Sequence, residues 1–435
     1  MNPAAAELNA TLAEKSPHLL EMLSDLGKNI FFPKGILSQS AEAKIKAHRF
    51  NATIGIATDG RGMPMYLPCI QKQFTHCDPS QLYPYAPPAG KPELRRLWRE
   101  KILRENPSLE GKHFGLPIVT NALTHGLALV GDLFIDPGDH LILPDQMWGN
   151  YRLTYGVRNK GIFKHYPFFN AQNGFNCAAF REVLLTTAEE KGKAFVLLNF
   201  PNNPTGYTPT PAEGEAIVAA IREAAEGGCN LVAVTDDAYF GLFYGDSLKE
   251  SLFGQLANLH PRVTAVKIDG ATKEEFVWGF RTGFVTFADG ACEENPAALE
   301  VLEKKTMGLI RSGISNSPHV SQTLVLEALR SPDFPREKEE KFRILRDRAL
   351  EVKRVLGQEK FNWAWEPYPF NSGYFMCLKL KTVNAETLRV HLLDRYEVGT
   401  IANNATDMRI AFSCIAREDI AELFDLILQG IRDLS

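Results

Sequence analysis

The sequence predicts an α/β protein built on a mostly parallel sheet, and three features of the chain carry that prediction. Between about residues 115 and 290, short apolar runs alternate with longer amphipathic or Ala-rich segments, the rhythm of strands joined by helices that cross back over one sheet. Several of these runs lack alternation of polar and apolar residues, so both of their faces are expected to be buried. At 435 residues, 45% of them hydrophobic, the chain exceeds one simple compact core, and two domains are expected.

The runs that read as strands are PIVTN (117–121), HLILP (140–144), IFKHYPF (162–168), AFVLLNF (194–200), NLVAVTD (230–236), VTAVKIDG (263–270) and GFVTF (283–287), bounded by turn-forming residues. Together they predict a sheet of seven strands flanked by helices. After Ser317 the chain changes character. A helix through VSQTLVLEALR is followed by a long charged one, FPREKEEKFRILRDRALEVKRVL, expected to be a solvated link between domains. Beyond it WAWEP, YFMCLKL and MRIAFSC read as strands of a smaller sheet, with helices at AETLRVHLLDRY and REDIAELFDLILQGI. The stretch before about residue 70 has no strand–helix rhythm of its own and is expected to pack with this part. The predicted division is therefore a large domain over 71–319 and a small α+β domain made of 1–70 and 320–435. No internal repeat or low-complexity segment is present.

The net charge of −4 comes from 48 basic and 52 acidic residues spread along the chain, which leaves no basic stripe for a nucleic-acid backbone. The first residues, MNPAAAELNATLAEKSPHLLEML, lack the basic start and apolar centre of a secretory signal. No run is long and apolar enough to cross a bilayer, so a cytoplasmic protein with no membrane partner is expected. Seven cysteines, at 69, 77, 177, 229, 292, 377 and 414, form no CxxC pair. That pattern fits free thiols in a reducing compartment, with no metal site expected.

In open parallel sheets, ligands bind beyond the carboxyl ends of the strands, and polar motifs cluster there in this chain. After AFVLLNF comes Pro201-Asn202-Asn203-Pro204-Thr205-Gly206, a rigid turn first of all, but one that can hold a side-chain amide against a ligand. NLVAVTD ends in Asp236, followed by Asp237, Ala238 and Tyr239. Paired carboxylates are often helix caps or metal ligands; a carboxylate beneath a pyridine ring would instead keep the ring nitrogen protonated and the ring electron-accepting. After VTAVKIDG comes Ala271-Thr272-Lys273 and then Gly279-Phe280-Arg281-Thr282-Gly283. A single lysine after a strand is usually a surface residue. Lysine is also the side chain that condenses with an aldehyde once its pKa is depressed, and a guanidinium suits a phosphate dianion.

These motifs, in this order and at these separations, resemble those of the fold-type I pyridoxal-phosphate aminotransferases of class I/II, of the aspartate and aromatic aminotransferase kind, over roughly residues 50–430. The resemblance implies the fold-type I architecture and pyridoxal 5'-phosphate as cofactor. It implies Lys273 as the Schiff-base lysine that moves the proton, Asp236 as the partner of the pyridinium nitrogen, Asn203 and Tyr239 as partners of the ring hydroxyl, and Arg281 as a phosphate ligand. Ala122, Leu123 and Thr124, opening the helix through GLALVGDLF, resemble the phosphate-binding helix start. Thr272 joins the cofactor contacts by its place next to the lysine. Trp148 is similar to the aromatic residue that stacks on the ring, and also to one that contacts substrate. Tyr85 in YPYAPPAGKPELR is similar to the tyrosine that reaches the partner subunit's phosphate, which implies a homodimer with shared sites. Arg409 resembles the arginine that grips the substrate carboxylate, and Gly55 the glycine whose backbone lies against the substrate.

The chain departs from the pattern at three places. Gly270 stands where many relatives have a serine, Ala122 and Leu123 are less glycine-rich than usual, and Val301 falls near the arginine that selects a dicarboxylate. Lys304 or Lys305 could substitute there, although a solvated helix face is their simpler reading. The expected activity is amino transfer between an L-amino acid and a 2-oxo acid in two half-reactions. Two rivals share these contacts: a lyase on the same scaffold, and a ligand-sensing domain without turnover, against which the short region before residue 50 argues because it cannot hold a winged helix.

Overall fold

Seven strands of the computed structural model, which describes residues 1–33, 35–60, 62–291 and 297–435, pair into one sheet. They are β1 (Ile118–Asn121), β2 (His140–Pro144), β3 (Ile162–Tyr166), β4 (Lys193–Asn199), β5 (Asn230–Asp236), β6 (Val263–Gly270) and β7 (Thr282–Asp289), in the spatial order β1-β7-β6-β5-β4-β2-β3. These are the seven apolar runs of the sequence, shifted by a residue or two at some ends; IFKHYPF stops pairing at Tyr166. β4, β5 and most of β6 are buried on both faces, which explains why their sequences do not alternate. The helices wrap the sheet for local reasons. Pro211–Glu226, for instance, starts with proline behind Thr210, whose hydroxyl and backbone N–H exchange hydrogen bonds with Glu213, a reciprocal cap.

One strand runs against the others. β7 is antiparallel to both of its neighbours, β1 and β6, because residues 271–281 are too short a connection for a parallel crossover of a dozen or more residues. The reversal brings three chain ends together: Asn121 at the end of β1 pairs with Thr282, and Gly270 at the end of β6 pairs with Gly283. The fit is too tight for side chains. A Cβ on Gly270 would lie 2.7 Å from the Thr282 carbonyl oxygen and 2.8 Å from Gly283 Cα. One on Gly283 would lie 2.6 Å from the carbonyl carbon of Ala122 and 2.9 Å from the nitrogen of Leu123. A serine at 270 would therefore have to push β7 aside.

Two helices matter for what lies beneath that corner. In α1 (Pro92–Glu105) Trp98 is fully buried, stacks on Phe284 at 4.1 Å and donates its indole N–H to Asp269 at 3.2 Å. Lys101, one turn further, holds Glu105 at 2.7 Å and Glu274 at 2.8 Å. α2 (Ala122–Phe134) starts directly on Gly283.

The second sheet has four antiparallel strands: β8 (Trp365–Pro367), β9 (Phe375–Leu380), β10 (Ile401–Ala402) and β11 (Asp407–Ala411), in the order β10-β11-β9-β8. The run MRIAFSC leaves the sheet at Ala411 and turns through a short 3-10 segment, Phe412–Cys414. The early chain joins this part: Phe50–Asn51 pairs in parallel with Val398–Gly399, and Ala411 N–H donates to the Ala52 carbonyl at 2.9 Å. The first helices also reach the other side, where Asp25 pairs with Lys160 at 2.5 Å.

α3 (Phe334–Leu356) is the long charged helix, and it is less solvated than its composition suggests. Phe334, Leu345, Ala349 and Val352 are buried along one face, and Lys338 reaches inward to Glu274 at 2.6 Å and Glu275 at 3.2 Å. Burial opposes ionisation of Glu274, but Lys101 and Lys338 outweigh it and hold the carboxyl down to about 2.

Six cysteines are free thiols, while Cys292 lies outside the described residues. Among the described residues no helix is long and apolar enough to cross a membrane.

The glycine corner yields a direct expectation. Gly283→Ala forces the start of α2 off the sheet and destabilises the chain by about 1–3 kcal/mol. Gly279→Ala, whose Cβ would meet nothing within 4 Å, leaves stability nearly unchanged. Thermal unfolding of the two variants side by side checks this.

Candidate active site

The strand ends and the glycine corner open onto one cavity of about 240 Å³. Its walls include Leu123, Thr124, Trp148, Asn203, Asp236, Tyr239, Lys273 and Arg281, so eight of the residues singled out in the sequence share one space. Register puts them there. Asn199 pairs with Asp236 at the ends of β4 and β5, and Lys273 follows the end of β6 by one helical turn, Ala271–Glu274.

Lys273 and Asp236 define the electrostatics. The Lys273 amine lies 5.0 Å from the centre of the Tyr239 ring, and its backbone carbonyl accepts the Tyr374 hydroxyl at 2.9 Å. Burial pulls its pKa down to about 8, against the opposing pull of Asp236 and with the help of Arg281. Burial pushes the Asp236 carboxyl up to about 6, opposed by the Tyr151 hydroxyl and by Lys273. Between those values both groups are charged, yet they are not in ion-pair contact, and Asp236 Oδ1 is buried without a hydrogen-bond partner.

On one side of the cavity, Asn203 is fixed from both directions. Its backbone N–H donates to Asn199 Oδ1 at 2.9 Å, and its Oδ1 accepts Arg409 Nη1 at 3.1 Å. Arg409 is 2% exposed, stacks over the Phe375 ring at 4.1 Å and donates to the Thr53 carbonyl at 2.8 Å, while its Nε has no partner. Its charged neighbours include no carboxylate among the described residues. Such a buried, uncompensated guanidinium is expensive unless an anion completes it. Gly55 sits between this group and Tyr239: a Cβ there would meet the Phe375 ring at 3.3 Å and the Tyr239 hydroxyl at 3.5 Å. Ser413 Oγ, donating to the Ile56 carbonyl at 2.6 Å, ties the same segment to the small sheet.

On the other side stands the start of α2. Ala122 adopts a left-handed φ of 62° and donates its N–H to the Arg281 carbonyl at 2.8 Å; Arg281 is itself left-handed, with φ 55°. This tight pair of turns leaves the N–H groups of Leu123 and Thr124 at the mouth of a 13-residue helix, where an anion is favoured. Ala122 is buried behind that wall, and Thr272 is buried with an unpartnered hydroxyl. Tyr85 is not part of this cavity; its side chain is 90% exposed. Val301, Lys304 and Lys305 lie exposed on the helix Ala297–Gly313.

Two residues at the site were not singled out in the sequence. Asn199 donates to the Asp236 backbone carbonyl at 2.9 Å, and Tyr151 hydrogen-bonds the Asp236 carboxylate. Asn199 had a signal, since it ends a strand beside Asp236. Tyr151 had little, being a buried aromatic in a run of aromatics.

The α/β architecture and this cavity define the class of protein: an enzyme fold with a buried lysine at the strand ends. The family model "Aminotransferase class I and II" matches residues 56–427, and the chain belongs to that family. It is 30% identical over 302 residues to a probable aspartate/prephenate aminotransferase of Aquifex aeolicus, covering 67% of this chain and 69% of that protein. With the cytoplasmic aspartate aminotransferase of Schizosaccharomyces pombe it shares 22% identity over 400 residues, 89% of this chain and 92% of that one. Its fold matches an aminotransferase from Anaerococcus prevotii with a TM-score of 0.83 at 22% identity, covering 94% and 98% of the two chains. The cytoplasmic aspartate aminotransferase of Saccharomyces cerevisiae matches with a TM-score of 0.76 at 18% identity over 97% and 100%.

The charge arrangement predicts a titration. The Lys273 amine reacts with an amine-selective acylating reagent in step with deprotonation near pH 8. Asp236→Asn removes the carboxylate that holds the proton on, so the half-reaction pH falls. Peptide mapping after timed labelling across pH 6–10 reads the shift, and an unchanged or higher midpoint contradicts the coupling.

Proposed function

We propose that this chain is a pyridoxal 5'-phosphate-dependent aminotransferase that moves an amino group between an L-amino acid and a 2-oxo acid by a ping-pong mechanism. The observation that carries the reading is the buried Lys273 amine, depressed to about 8 and facing one cavity with Asp236 and Arg281. The residues present fit the cofactor. An amine is available for its aldehyde, the open Oδ1 of Asp236 for its ring N–H, and a guanidinium with the helix start at Leu123 and Thr124 for its phosphate. Asn203 and Tyr239 would hold the ring hydroxyl, Trp148 would stack on the ring, and Ala122 and Thr272 would shape the phosphate end. When bound, the group supplies a conjugated ring that accepts the electrons released at the substrate Cα.

Each side chain then has a task of its own. Lys273, unprotonated above about pH 8, would be the amine that holds the cofactor's aldehyde and the base that takes the substrate Cα proton. Asp236 would hold positive charge on the ring nitrogen. Arg409, buried with no carboxylate counter-ion among the described residues, takes the substrate carboxylate in a bidentate pair, and Gly55 leaves room for the substrate backbone. The freed donor product leaves as a 2-oxo acid, and the same residues serve the second substrate in reverse.

The proposal includes a homodimer and a cytoplasmic location. Tyr85 and its neighbour Tyr83 are the most exposed aromatic side chains among the described residues. They lie in sequence just beyond an apolar depression of about 370 Å³ walled by Met65, Tyr66, Ile70 and Phe74, a surface suited to a second copy that would receive Tyr85. The cytoplasmic aspartate aminotransferase of Schizosaccharomyces pombe supports the location. The division into a large domain over 71–319 and a small one over 1–70 and 320–435 belongs to the same reading, supported by the separate sheets.

Initial rates with a series of amino donors and 2-oxo acid acceptors give parallel double-reciprocal lines, and product accumulates past one equivalent per site only when an acceptor is present. Sustained keto-acid release without any acceptor identifies a lyase instead. Arg409→Lys loses a bidentate charged contact worth about 2–3 kcal/mol, so kcat/KM for donor and acceptor alike falls roughly 30- to 150-fold.

A further inference from the structure

Tyr151 is fully buried at the start of the seven-residue π-helical segment Arg152–Arg158, an uncommon winding that tends to mark functional sites. Its ring is boxed in: Trp148 meets it edge-on at 5.4 Å and Tyr155 stacks behind it at 6.1 Å. The box leaves the hydroxyl one acceptor, Asp236 Oδ2. The Asp236 backbone is held separately by Asn199, so the Tyr151 bond acts on the carboxylate alone. The two carboxylate oxygens are thereby made unequal. Oδ2 is taken by Tyr151, and Oδ1 is buried without a partner in a residue that lines the cavity.

A phenol donates a stronger hydrogen bond to a carboxylate than it makes with a neutral acid, so this bond favours the charged form. We infer that Tyr151 is a positioning residue for amino transfer: its hydroxyl fixes the orientation of Asp236 and keeps that group ionised, so that Oδ1 is presented as an acceptor to the protonated ring nitrogen of the cofactor. The inference rests on the function proposed above. The groups facing Asp236 come from several elements. Lys273, on the turn after β6, favours the carboxylate with Tyr151; Asp237, next in the chain, and burial oppose it. Tyr155 and Tyr239 are kept protonated by burial. Tyr151 itself is held in its donor form by burial and by Asp236, so it donates over the whole working pH range. Without it, burial and Asp237 are opposed only by Lys273 and the Ala238 backbone N–H, and the carboxyl pKa rises from about 6.

Tyr151→Phe keeps the ring and its stacking, and Tyr155→Phe, whose hydroxyl has no partner, is the control. In the full-length cofactor-free chain, carboxyl titration of Asp236 is read by infrared difference against Asp236→Asn. In the same preparations pyridoxal 5'-phosphate affinity is read by fluorescence quenching between pH 6 and 9. The midpoint moves up by about one unit or more in Tyr151→Phe and stays in Tyr155→Phe. A one-unit rise makes the cofactor affinity of Tyr151→Phe about 5-fold weaker at pH 6, with recovery as the pH rises. A wild-type chain that binds no cofactor at any pH overturns the proposed function and this inference with it. A chain that binds cofactor with the same pH dependence as Tyr151→Phe, and whose Asp236 titrates alike in both, overturns the inference alone.

Discussion

Opposite charges on Asp236 and Lys273 are buried in one cavity and kept from touching. Buried ions are ordinarily brought into contact with a partner, since each desolvated ion costs several kcal/mol unless it is closely paired. Here they are not. Burial pulls the lysine down to about 8 and the carboxyl up to about 6, and the remaining attraction between them stays available to whatever group enters the gap. Arg409 repeats the pattern at the neighbouring wall, a buried cation whose present acceptors are an amide and a carbonyl. These groups are stable where they are because packed strands and helices leave them no alternative, and their incomplete partnering is what makes the cavity chemically useful.

The reversed strand β7 makes that arrangement possible. A parallel seventh strand would need a long crossover, and Arg281 would start far from Lys273. The short connection instead folds back, pairs Gly270 with Gly283, and lets the start of α2 rest on the glycine. The helix start, the lysine and the arginine are thus fixed relative to one another by backbone contact at a single corner. Beneath it, Lys101 and Lys338 clamp Glu274, the residue after the lysine, to α1 and α3. Removing one of those lysines would strand a buried carboxylate, so the cluster resists change even though its net contribution to stability is modest.

Much of this was legible in the sequence, for identifiable reasons. Strands buried on both faces leave long apolar runs, so NLVAVTD and VTAVKIDG marked β5 and β6 to the residue, and the motifs at their ends pointed to Asp236 and Lys273. α3 was equally clear in extent because its apolar residues recur at helical spacing. What local pattern could not reveal was anything set by distant partners: the antiparallel direction of β7, the burial of charged side chains along α3, and the hydrogen bond from Tyr151 to a carboxylate 85 residues away. The glycine at 270 was visible only as a departure from a resemblance; the structure supplies its cause, a Thr282 carbonyl where a side chain would go. Tyr85 lies exposed outside the cavity of its own chain.

The account stands or falls on which amine reacts with an aldehyde. Borohydride reduction of the chain incubated with pyridoxal 5'-phosphate, followed by peptide mass mapping, reads this directly. The prediction is a single reduced adduct on Lys273, absent from Lys273→Ala. A stoichiometric adduct on another lysine, or no site-specific adduct at all, contradicts the central claim.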